Sequence, residues 1–151
     1  MIDSTDSRIL SALQKNGQLT SQELGDMLNL SASQASRRRA RLESSGYIRT
    51  YRAQLDTEKL GLTIQAFVQV DMATHRPELV KGFTRLLETQ AEITSVWVLT
   101  GNADYLLRVY CEDLPSLNRL IHEVLLPHKA VAKVQSQIVM DQCKADAPLP
   151  V

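Results

Sequence analysis

The chain has 151 residues, 44% of them hydrophobic, with 17 basic and 17 acidic side chains and so no formal net charge. That excludes a disordered polyelectrolyte and leaves room for one ordinary domain or two small ones. Two cysteines, Cys111 and Cys143, are too few for a disulfide framework, and no apolar run is long enough for a membrane helix. With no signal-peptide core at the N-terminus, a cytoplasmic protein with free thiols and no membrane partner is expected. The neutral average conceals a split. Residues 1–55 carry eight Lys/Arg against five Asp/Glu, +3, and residues 56–151 carry nine against twelve, −3. A basic front and an acidic back suggest two tasks on one chain.

The first predicted helix runs from Asp3 to Asn16. Asp3 is its N-cap, Asp6 favours the positive helix end, and Ile9, Leu10 and Leu13 line one face. Two further helix starts follow in quick succession. Thr20 with Glu23, and Ser31 with Gln34, both match a capping box. Leu24, Met27 and Leu28 give the first of these helices an apolar stripe, and Asn29 suits the left-handed residue that ends it. Two short helices joined so tightly form a helix-turn-helix candidate, whose second member enters the major groove of double-stranded DNA.

On that second helix Ala35 and Leu42 share the inward face at about 100° per residue. Ser33, Arg37 and Ala40 lie opposite, with Gln34, Ser36 and Arg41 on the flanks. Hydroxyls and amides hydrogen-bond base edges, and guanidiniums grip guanine or phosphate. The expected DNA-binding set is Ser31, Ser33, Gln34, Ser36, Arg37, Arg38, Arg41 and Arg49. Arg39 falls close to the core side and is expected to lay its stem over the core edge. Tyr47 to Leu55 reads as an extended linker strand, in which Arg49 and Arg52 are either phosphate contacts or solvated linker arginines.

Residues 56–61 form a boundary turn, after which the pattern changes. Thr63 to Met72 alternates as a half-buried strand, with Ala66, Val68, Val70 and Met72 on one side. A helix from Arg76-Pro77 to Thr89, strands Ile93–Thr100 and Asp104–Cys111, a helix Asp113–Leu126 and a strand Val131–Asp141 complete the order βαββαβ. The fold class is α+β: an N-terminal three-helix helix-turn-helix domain (1–55), then a ferredoxin-like βαββαβ domain (62–145) and a tail (146–151). Val96, Val98, Leu106, Tyr110 and Val139 are expected on the sheet face away from the helices. That is too much apolar surface for water, so a dimer through the sheets is expected.

The chain resembles the Lrp/AsnC, or feast/famine, family of transcriptional regulators over nearly its full length. The resemblance rests on Asp6-x-x-Ile9-Leu10, on Arg41-Leu42-Glu43-Ser44-Ser45-Gly46-Tyr47-Ile48, on Gly101-x-x-Asp104-Tyr105-Leu106-Leu107, and on Ile138-Val139-Met140. It implies an N-terminal DNA-binding domain and a ferredoxin-like domain for effector binding and oligomerisation. It also implies homodimers assembling into octamers or similar discs, with an amino acid as small-molecule effector bound between subunits. The expected effector site is Leu99, Thr100, Gly101, Asn102, Ala103, Asp104 and Tyr105, with Gln135 and Gln137 across an interface. Gly101 lets a backbone N–H approach an anion, and Asp104 offers a carboxylate to an ammonium. The family pattern has an acidic residue where Asn102 stands and often a larger one where Ala103 stands, so this pocket is less negative and roomier. The same residues also suit a plain hairpin turn.

No catalytic residue, cofactor or metal site is expected: His75, His122 and His128 are scattered, and no nucleotide-binding or nucleophile motif occurs. The function read from the sequence is a sequence-specific, effector-responsive transcriptional regulator. The competing readings are a nucleoid-packing protein with little sequence preference and a small-molecule sensor whose helix-turn-helix docks protein.

Overall fold

Every helix of the N-terminal unit opens with a reciprocal cap. In the computed structural model, which describes residues 1–151, these helices are α1 (Ser4–Lys15), α2 (Ser21–Leu28) and α3 (Ala32–Ser44). Asp3 and Asp6, Thr20 and Glu23, and Ser31 and Gln34 each exchange side-chain and backbone hydrogen bonds across the first turn. Such boxes satisfy backbone N–H groups that would otherwise lack partners. Asn29 ends α2 in the left-handed region, at φ 57° and ψ 48°. Two residues later Ser31 caps α3.

Ile9, Leu10, Leu13, Leu24, Leu28, Ala35 and Leu42 form the core of this unit, with Leu19, Leu30 and Ile48 packed against it. Met27, expected beside Leu24 and Leu28, instead stands 56% exposed. Eight residues give α2 a narrow buried face, which Leu24, Gly25 and Leu28 fill. Tyr47–Leu55, expected as an extended linker strand, forms no strand and joins no ladder.

The chain divides into two compact units, Met1–Gln54 with Cys143–Val151, and Leu55–Gln142. The last residues therefore belong with the helices. The Gln14 carboxamide accepts from the Leu149 N–H at 2.6 Å and donates to the Leu149 carbonyl at 3.1 Å.

The second unit contains β1 (Ile64–Met72), α4 (Pro77–Thr89), β2 (Ile93–Val98), β3 (Tyr105–Cys111), α5 (Leu114–Arg119, continuing as a π-helical turn Leu120–Leu125) and β4 (Val131–Ile138). Its sheet runs β2-β3-β1-β4, and all three pairings are antiparallel. This is the ferredoxin-like arrangement. Ala66, Val68, Val70, Leu107 and Val109 face Phe83, Leu87, Leu117, Leu120 and Leu125 of the helices in one buried cluster.

The register corrects part of the expected outer face. Val96 is opposite the fully buried Leu107, and Val98 is opposite Tyr105, so both valines lie on the helix side. The outer face instead carries Trp97 opposite Leu106, Arg108 opposite Phe67, and Tyr110 opposite Gln65. Val98 remains 76% exposed because β2 is an edge strand. The run Val96-Trp97-Val98-Leu99 has no polar residue to reveal its parity.

Candidate nucleic-acid interface and effector loop

The outward side of α3 gathers the residues expected to meet DNA. Ser33, Ser36 and Arg37 are exposed. A shallow groove of about 330 Å³ is lined by Leu30, Gln34, Arg37, Arg38 and Arg41. Ser31 and Gln34 serve first as caps: Ser31 Oγ accepts from the Gln34 N–H at 3.2 Å, and Gln34 Oε1 accepts from the Ser31 N–H at 2.9 Å. The Ser31 and Ser33 hydroxyls are 3.0 Å apart. Arg37 and Arg49 are exposed.

The other three arginines of α3 are engaged inside the unit. Arg38 Nη1 donates to Asp3 Oδ2 at 2.7 Å and to Asp6 Oδ1 at 2.8 Å, and Arg41 Nη2 donates to Asp6 Oδ2 at 2.5 Å. Asp6 is fully buried, and the Asp3 N–H also donates to it. The Arg38 guanidinium, with help from the Asp6 N–H, holds the Asp3 carboxyl below its usual range. The same two carboxylates push the Arg38 guanidinium's pKa upward. Arg39 donates to the Leu19 carbonyl at 2.7 Å and to Glu43 Oε1 at 3.0 Å, and lies 4.8 Å from the centre of the Tyr51 ring. Its position near the core edge matches its helical phase. Tyr51 in turn donates its hydroxyl to Glu43 at 2.9 Å.

The sequence reading missed two residues of this region. Asp6 was assigned only to the helix dipole, yet it ties α1 to α3. Gly25 sits at the turn, where an added Cβ would come within 2.6 Å of the Leu30 carbonyl oxygen. Its signal in the sequence was a glycine inside a short helix, which commonly marks close backbone approach.

Two capping carboxylates and the Arg39 partner Glu43 predict a pH dependence. Glu23 is held below the usual carboxylate range by the Thr20 N–H and hydroxyl, and Glu43 by Arg39 and the Tyr51 hydroxyl, alongside Asp3. Groups depressed in the folded state contribute stability above their unfolded pKa of about 4 and lose it as pH falls through the lower folded value. The melting temperature followed by helical circular dichroism should therefore fall as pH is lowered from about 5 to about 3. A flat profile across that window would show that these three carboxylates contribute nothing.

In the second unit, residues 99–104 connect β2 to β3. The Leu99 N–H donates to the Asp104 carbonyl at 2.9 Å. Gly101 sits at φ 120° with open space where a Cβ would be. Thr100, Gly101 and Asn102 are exposed and Ala103 is buried. Tyr105 packs edge-on against Phe83, ring centres 5.5 Å apart. The Asp104 carboxylate is already engaged: Oδ2 accepts from the Met72 N–H at 2.7 Å, and Oδ1 lies 3.0 Å from His75 Nε2. The Met72 N–H, then His75, lower its pKa. A ligand ammonium at Asp104 has to share that carboxylate with both. Gln135 and Gln137 are exposed on the outer sheet face, opposite Gln69 and Phe67. Within one chain β4 lies two strands away from β3, and the glutamines do not join the loop.

A capped helix-turn-helix followed by a separate ferredoxin-like unit defines a DNA-binding regulator with a ligand-binding domain. Residues 2–49 match the winged helix-turn-helix DNA-binding model, and residues 65–149 match that of the Lrp/AsnC ligand binding domain. The chain belongs to the Lrp/AsnC family of transcriptional regulators. It is 34% identical over 150 residues to the HTH-type transcriptional regulator Zrp of Zymomonas mobilis, covering 99% of this chain and 97% of that one. It is 30% identical over 151 residues to the transcriptional activator DecR of Escherichia coli, covering 100% and 99%. Among solved structures, the transcriptional regulator NMB0573 of Neisseria meningitidis, in complex with L-methionine, superposes with a TM-score of 0.95 at 35% identity, covering 99% and 97%. An AsnC family regulator from Agrobacterium tumefaciens gives 0.90 at 29%, covering 99% and 97%.

Proposed function

We propose that this regulator reads a specific operator through α3 and that a free amino acid, held at the loop 99–105, alters its assembly or its affinity for DNA. The exposed Ser33, Ser36 and Arg37 on the second helix of a tightly turned pair carry this reading. Gln34 keeps its amide N–H groups for a base edge, because the cap uses only its oxygen. Arg49 follows the turn after α3, as a phosphate contact would. The amino-acid effector is supported by the L-methionine bound to the Neisseria relative. Gly101, with its N–H in an open loop, supplies a place for the ligand carboxylate, and Asp104 one for the ammonium. Gln135 and Gln137, outside the loop in one chain, fit a site completed by a second subunit. The outer face with Phe67, Trp97, Leu106 and Tyr110 is suited to a homodimer, and dimers to an octamer. Such a protein acts as a regulator without catalysing a reaction, beside the chromosome in the cytoplasm.

The test begins with a duplex recovered by selection from random-sequence DNA. Wild-type affinity should fall linearly on a log–log salt plot, as phosphate contacts require. Arg37→Ala should cost roughly 1–3 kcal/mol on that duplex and relax specificity at one base position. A thermal-shift screen of the free amino acids identifies the effector, because a ligand of the folded state raises its melting temperature. Failure of selection to enrich any sequence would leave the nucleoid-packing reading. Unchanged specificity in the Arg37 variant would remove α3 as the reader.

A further inference from the structure

We propose that Asp6, on α1 and outside the helix-turn-helix, is a positioning residue for DNA recognition: it aims Arg38 and Arg41 at backbone phosphates and so leaves base reading to Arg37. The proposal rests on the reading of α3 as the DNA-reading helix. Asp6 is fully buried, and each of its carboxylate oxygens receives a guanidinium of α3. Arg38 uses only Nη1 for its two carboxylates, and Arg41 uses only Nη2. That leaves Nε and Nη2 of Arg38, and Nε and Nη1 of Arg41, for an outside acceptor.

Both arginines line one groove with Gln34 and Arg37. A planar guanidinium held through one nitrogen presents the rest of its plane in a set direction: the Nε–Nη2 edge of Arg38 suits bidentate contact with a phosphate, and Nε or Nη1 of Arg41 a single contact. Arg37 has no such anchor and lies exposed in the same groove. Phosphate contacts set register and base contacts set sequence, so the fixed and the free arginines suit different parts of the task. A carboxylate beneath the arginines also lowers the local positive potential, restraining attraction to DNA of any sequence.

The experiment uses the full chain, a selected duplex and an unselected duplex of equal length. Asp6→Asn keeps the shape and removes the charge. Affinity for the selected duplex should fall about tenfold or more, the scale of one charge-assisted hydrogen bond. Affinity for the unselected duplex should hold or rise, since a negative charge has gone. A staple between α1 and α3 without a positioning role would lower both affinities together, in proportion to the folded fraction, and that outcome overturns the proposal. Should Asp6→Asn fail to fold, the double variant Arg38→Lys, Arg41→Lys keeps both charges and loses the planar forks. Its selected-to-unselected ratio should fall, and a ratio equal to wild type overturns the proposal. A wild-type protein that prefers no duplex would show instead that the specific-operator reading has failed, before any variant is made.

Discussion

Gly25→Val should abolish operator binding while leaving the second unit folded. An added Cβ at Gly25 would come 2.6 Å from the Leu30 carbonyl oxygen, and 3.4 Å from the Ala32 nitrogen. Both neighbours are backbone, so neither can rotate aside. The Leu30 N–H also donates to the Gly25 carbonyl at 2.9 Å, closing the turn between α2 and α3. Forcing in one methyl group typically costs about 1–3 kcal/mol, and valine brings more bulk. Small domains have roughly 5–15 kcal/mol of total stability, and a displaced α3 loses its groove geometry even where the chain stays folded. The single tryptophan, Trp97, belongs to the second unit and reports on it separately. Wild-type-like Trp97 unfolding together with lost DNA binding is the expected pair of results. Retained operator affinity would show that the turn can open to admit a side chain.

Phe83→Ala should have the converse effect. Phe83 is fully buried and contacts the rings of Tyr105 at 5.5 Å and His128 at 5.3 Å. Removing a buried phenyl ring costs about 3–5 kcal/mol, because the cavity closes only in part. The Trp97 transition in denaturant should move to markedly lower concentration. Tyr105 borders the loop proposed to hold the effector, so on that proposal amino-acid binding should weaken in the same variant even under conditions where the unit remains folded. The helical signal of the first unit should persist past the Trp97 midpoint. A Trp97 midpoint unchanged from wild type would mean that Phe83 does not anchor this core.

The legible parts of the fold were those written in local spacing. Two capping boxes, the Asp3 N-cap, a left-handed Asn29 and the alternation of Thr63–Met72 each occupy a few consecutive residues, and each specifies its element directly. Partnerships far apart in the chain were not legible. Asp6 meets Arg38 and Arg41 more than thirty residues away, and nothing near Asp6 in sequence announces it. Asp104 was read as free for a ligand because its partners, the Met72 N–H and His75, are set by strand pairing. The parity of β2 failed for a different reason: an unbroken apolar run fits either face equally well. The π-helical turn closes through a bond from the Leu126 N–H to the Ile121 carbonyl, yet its residues read as ordinary helix.

The pairing of Gln14 with Leu149 has a consequence for the order in which the protein comes into being. The two residues are 135 positions apart. At about 5–20 residues per second, the ribosome completes α1–α3 several seconds or more before Leu149 is joined to the chain. The three helices carry their own caps and their own core, so the nascent polypeptide holds a reading head from early in its synthesis. The clasp closes last. Until residue 142 has followed, the emerging chain has the helices proposed to touch DNA and lacks the second unit, through which a ligand would govern it.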